Sequence, residues 1–169
     1  LNIWNVHHDH CFASIDKKQL QKITANFRDK GYVKEKLQKL HQRINSRKAT
    51  SFVPQWWEDV RTLFEFDNKP LVKCNSLEKV ISFYTTEFHK VDRAIRNIYA
   101  SFLQEQDIVR PLQEHYESLN HELLQHWFEY NHQYQPNQQG FLPELIAKSK
   151  PRTAIIVGDG VRYEIAAFI

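Results

Sequence analysis

The chain has 169 residues, 41% of them apolar and 25% charged, which is the composition of one soluble globular domain and excludes a fibre or a disordered tail. Aromatic residues make up 13% and there are only 4 glycines, so long elements packed by rings are expected rather than a turn-rich all-β architecture. The net charge of +3 conceals a skew, because residues 1–50 hold 11 Lys/Arg against 4 Asp/Glu and the remainder is acidic.

At the start, His7-His8-Asp9-His10-Cys11 carries every ligand type that zinc favours. Adjacent ligands rarely converge on one ion without a second cluster, so the expectation is a polar loop. Leu20, Ile23 and Phe27 then recur at helical spacing over 14–30, with Gly31 placed where a C-terminal cap belongs. Val33, Leu37, Leu40 and Ile44 mark a second amphipathic helix, whose outer face is expected to hold Lys34, Lys36, Lys39 and Arg43. Such a basic stripe can neutralise nucleic-acid phosphates; the simpler reading is a solvated helix face. Pro54 suits a first turn, and Trp57, Val60, Leu63 and Phe64 form one face of a third helix that ends at Asp67-Asn68-Lys69-Pro70. Trp56-Trp57 is read as packing.

Asn75 with Glu78 reads as a capping box, after which Leu77, Ile81, Tyr84, Phe88, Val91, Ile95, Ile98 and Phe102 keep helical spacing for about seven turns. On that helix Asp92 and Arg96 are four apart and suited to an ion pair. Pro111 and Pro136 bracket a fifth helix with Leu112, Tyr116, Leu119, Leu123, Trp127, Tyr130 and Tyr134 on its apolar side, making an antiparallel hairpin with the fourth. A short helical turn at 142–146 precedes the polar break Lys148-Ser-Lys-Pro-Arg152. Cys11 and Cys74 fit neither a disulfide framework nor a metal knuckle.

Ala154-Ile-Ile-Val157 is continuously apolar, the pattern of a strand buried on both faces of a parallel sheet. Val161, Ile165, Phe168 and Ile169 fit a following helix, although alternation over 161–169 also fits a strand and would make Asp159-Gly160 a hairpin turn. Glu164, Ala166 and Ala167 favour strand, turn, helix. Asp159 then lies at the carboxyl end of a strand, where α/β sheets place ligands; its carboxylate can hold a metal, Gly158 and Gly160 allow close approach, and Arg162 can meet an anion.

This stretch, Ile155-Ile-Val-Gly-Asp-Gly-Val-Arg-Tyr-Glu164, resembles the opening motif of the PglZ domain, an apolar strand followed by Ser-Asp-Ala-Leu-Arg-Tyr-Glu. Gly158 replaces the common Ser, and Gly160-Val161 replaces Ala-Leu. Upstream, Tyr84 to Arg96 is similar to a Tyr, Asp, Tyr-Arg pattern on the helix preceding the domain in BREX-type members, with Tyr116, Trp127 and Phe141 in family order. The resemblance covers about 75–169. It implies the alkaline phosphatase superfamily, a metal-dependent phosphatase or phosphodiesterase of bacterial phage defence with partner proteins of that system, Asp159 as a ligand to one of two divalent metals (zinc by superfamily habit), and Arg162, Glu164 and Gly160 around substrate or behind the metal.

The expected organisation is mainly α: a basic and aromatic helical region over 1–74, a helical hairpin over 75–150, and the first strand and turn of an alkaline-phosphatase-like α/β domain over 151–169. With no initiator Met and an apolar end, the chain reads as part of something longer, with the nucleophile and remaining ligands beyond it and no activity of its own. No membrane span or signal layout is present, so the cytoplasm is expected. A non-enzymatic helical interaction module and a nucleic-acid-binding bundle over 17–48 are the competing readings.

Overall fold

The computed structural model describes residues 2–135, 140–154 and 161–167, and it is mainly helical. In chain order come α1 (Ala13–Ala25), α2 (Lys30–Ile44), α3 (Trp56–Glu65), α4 (Leu77–Phe83), a π-helical turn (Tyr84–Phe88), α5 (His89–Phe102), α6 (Gln106–Tyr130), α7 (Phe141–Lys148) and α8 (Tyr163–Ala166). Short 3₁₀ turns at Thr50–Phe52 and Lys69–Lys73 flank α3. No strand occurs among the described residues, and the expected strand at 154–157 falls largely outside them. Among the described residues no helix is long and apolar enough to cross a membrane.

Helix α3 is the centre of the packing. Its Trp57, Val60 and Leu63 are fully buried, each worth about 2 kcal/mol of apolar transfer, and it lies along α5 while α1 and α5 pack against α6. One hydrophobic core runs continuously from Leu20 of α1 to Leu123 of α6, so residues before and after the expected 74/75 boundary share a single interior. Polar ties reinforce the seams: Lys17 pairs with Glu105 at 2.7 Å, and the Gln133 side chain accepts from the Leu77 amide at 2.9 Å.

Two caps differ from expectation. Gly31 does not end the first helix; Asp29 caps the N-terminus of α2 by accepting from the Tyr32 amide at 2.9 Å, and Gly31 sits in that first turn, where a Cβ would lie 3.3 Å from the Asp29 carboxylate. At the next start Ser76, not Asn75, is the N-cap, accepting from the Lys79 amide.

The larger difference is in the long fourth helix. Its buried positions are Leu77, Val80 and Phe83, then Phe88, Val91, Ala94, Ile95, Ile98 and Phe102, while Ile81 is exposed. The step of five between Phe83 and Phe88 is the π turn, which an even α repeat through Ile81 and Tyr84 conceals.

Arg43 is also displaced from the outer face of α2. It is buried, and all five guanidinium N–H groups donate: Nε and Nη2 to the two oxygens of buried Asp16 at 3.0 and 2.8 Å, Nη1 to the His8 and His10 carbonyls, and Nη2 to the Phe52 carbonyl. Trp57 Nε1 donates to the same Asp16 at 2.9 Å. One buried ion pair, Arg43 with Asp16, thus ties α1, α2, α3 and two connecting segments together.

Candidate functional site at the π turn

A π turn leaves backbone carbonyls poorly served, and here side chains take them up. The Thr85 and Thr86 hydroxyls donate back to Ile81 and Ser82, and His89 Nδ1 lies 3.3 Å from the Tyr84 carbonyl. The Thr85 carbonyl receives the Tyr163 hydroxyl of α8 at 3.2 Å. Tyr163 packs against Tyr84 at 5.9 Å between centroids and edge-on to His89 at 5.5 Å.

Beneath these rings lies a carboxylate held by two phenols. Tyr84 donates to Asp92 Oδ2 at 2.8 Å, and Tyr116 of α6 donates to Oδ1 at 2.9 Å. Burial, opposed by the two phenol hydrogen bonds and assisted by the charge of Glu164, raises the Asp92 pKa. Burial and the Asp92 charge push both tyrosines well above their ordinary range, so the phenols stay protonated donors.

Asp92 therefore does not form the ion pair expected with Arg96. The partner of Arg96 is Glu164 of α8, with Nε 2.6 Å from Oε1 in a contact ion pair that is not aligned as a hydrogen bond. Glu164 is 1% exposed, although every other described residue of 161–167 is exposed. Its Oε2 has no hydrogen-bond partner among the described residues. A carboxylate so placed is held by the cation under it.

The structure therefore joins two stretches far apart in sequence, Tyr84 to Arg96 and Tyr163-Glu164, and leaves other expected site residues apart. Asp159 and Gly160 lie outside the described residues. Arg162 is exposed and precedes the first turn of α8. Glu164, committed to Arg96, positions α8 on α5. Tyr163 was missed in the sequence because its partners are non-local.

The basic stripe of α2 is thinner than expected. Arg43 is interior, Lys36 lies over the rings of Trp4 and Tyr32 at 5.3 and 5.0 Å, and Glu35 bridges Lys36 and Lys39 at 2.9 and 3.1 Å. Lys34 and Lys39 remain exposed. A cleft of about 1030 Å³ lies elsewhere, between α2, the 64–72 segment and α6; its lining interleaves charges of both signs, such as the Arg28–Glu114 pair, around His115, whose pKa burial lowers. Searched against family models, curated proteins and solved structures, the chain matches none.

Proposed function

We propose that this chain is the helical lead-in and the opening of the catalytic domain of a PglZ-like, metal-dependent phosphatase or phosphodiesterase, working in the cytoplasm with other proteins of a BREX-type phage-defence system. What supports the reading is the Arg96–Glu164 pair together with the Tyr84–Tyr163 contact. The two stretches that resemble the family are the two that touch. In this reading Asp159 contributes a ligand to a divalent metal, zinc by superfamily habit, which when bound stabilises charge on a phosphoryl group. Arg162 meets the substrate anion, Gly160 leaves room for it, and Glu164 fixes the turn on the helical bundle.

The test uses the longer protein that this reading requires. Asp159→Asn removes a charge facing the metal while keeping the shape, so metal content and hydrolysis of a nitrophenyl phosphodiester both collapse while the helical circular dichroism is unchanged. An unimpaired variant refutes the assignment, as does hydrolysis by the 169-residue chain alone, since one carboxylate does not hold a two-metal site.

A second reading, a non-enzymatic interaction module, is favoured by the apolar side chains that the end of α6 and α7 leave in solvent, among them Phe128, Phe141 and Ile146 at 67, 66 and 58% exposure.

A further inference from the structure

The loop before α1 is built more firmly than a polar surface loop needs to be. A turn closed by the His10 amide on the His7 carbonyl at 3.2 Å gathers consecutive side chains that an extended chain would send apart. As a result one ligand atom from each of His7, His8 and Asp9 lies within 4.8 Å of the others. His8 Nε2 is 3.5 Å from Asp9 Oδ1, and the His7 and His8 rings stack at 4.3 Å.

Behind the three side chains stands a supporting layer. Buried Arg43 grips the carbonyls of His8 and His10 at 3.0 and 2.6 Å, fixing the turn to Asp16 and the core. The Ser46 hydroxyl donates to Asp9 Oδ1 at 2.6 Å and so fixes the orientation of that carboxylate. His8 and Asp9 open on a cleft of about 440 Å³ whose other wall carries His41, Asn45 and Lys48. Arg47 and Lys48 also line this cleft and are the competing cations.

We infer that His7, His8 and Asp9 form a binding site for a divalent cation of the zinc class. Two imidazoles and one carboxylate are the donor set such ions select, with at least one position left for water on the cleft side. A metal about 2.1 Å from each ligand draws tetrahedral neighbours to about 3.4 Å, so the side chains close inward by roughly an ångström. His7 Nδ1 lies 3.9 Å from Asp9 Oδ2 and accepts from the Asp9 amide at 3.2 Å, a hydrogen bond that it exchanges for the metal. The site is independent of the motif around Asp159.

The experiment titrates the 169-residue chain with zinc chloride alone against a chromophoric chelator, and records the visible spectrum with cobalt(II) in place of zinc. The expected result is one equivalent per chain and a cobalt spectrum of four- or five-coordinate character. His7→Ala, His8→Ala and Asp9→Asn each weaken binding at least about tenfold, and Ser46→Ala weakens it less. His126→Ala, on α6, changes nothing. Circular dichroism of each variant confirms that the bundle is folded, and Asp9→Asn keeps the shape of the loop. Less than half an equivalent bound, or affinity unchanged in the His7→Ala/His8→Ala double variant because other histidines hold the ion, overturns the proposal.

Discussion

Replacing Arg43 by Met keeps the aliphatic stem and removes five donors at once. Three of the five orphaned acceptors are the carbonyls of His8, His10 and Phe52, which sit in loops at the edge of the fold and can recover water. The other two are the oxygens of Asp16, which is 0% exposed and keeps a single donor, Trp57 Nε1 at 2.9 Å. That uncompensated buried charge dominates, and breaking a buried pair from one side costs about 3–5 kcal/mol, against a total stability of order 5–15 kcal/mol for a domain. Urea unfolding followed by far-ultraviolet circular dichroism measures it as a fall in midpoint at unchanged slope. Adding Asp16→Asn removes the charge while leaving an oxygen for Trp57, so the double variant regains at least about 1 kcal/mol over Arg43→Met alone. A loss below about 1 kcal/mol for the single change, or a further loss on adding Asp16→Asn, refutes the hub.

Asp92 gives a pH prediction. Its pKa is raised in the fold by burial, so the folded state takes up the proton more readily than the unfolded chain; its contribution is fully present below the unfolded value and is lost as pH rises through the folded one. The stability difference between wild type and Asp92→Asn therefore shifts in favour of wild type as pH falls from neutral to about 3, with denaturation midpoints at several pH values as the readout; a difference that does not vary with pH refutes it. Duplex DNA is expected to bind weakly or not at all at physiological salt, because Lys36 and Lys39 already engage Glu35 and Arg43 is interior. Tight binding abolished by reversing Lys34, Lys36 and Lys39 to Glu would show otherwise.

The helices were legible because each buries one stripe, and Leu20, Val33, Trp57, Val60, Ile98 and Leu112 all lie in the core the spacing predicts. Boundaries slipped by local competition: Asp29 caps the start of α2 two residues before Gly31, and Ser76 takes the cap that its neighbour Asn75 was equally suited to fill. Arg43 was readable in principle, since it falls three residues after Leu40 on the buried stripe, as Asp16 falls four before Leu20. A charge on a core stripe signals a buried partner, but the pairing itself joins different helices and leaves no mark in local spacing. The same holds for Arg96 and Glu164. Asp92 and Arg96 satisfied the i, i+4 rule on paper, yet tertiary partners outcompeted it, two phenols for the acid and a distant carboxylate for the base.

The five-residue step from Phe83 to Phe88 carries a consequence for insertions and deletions. An α-helix turns about 100° per residue, so a step of four would also carry the buried face from Phe83 to its successor nearly in line. The long element would thus remain a continuous α-helix, with both halves of its core seated, if one of the exposed residues Thr86 or Glu87 were deleted. What would vanish is the π turn that offers the Thr85 carbonyl to Tyr163 and that separates Tyr84 from its partner Asp92. The extra residue is neutral for the bundle and indispensable only to the patch where α8 docks, which makes it an addition to the scaffold rather than part of it.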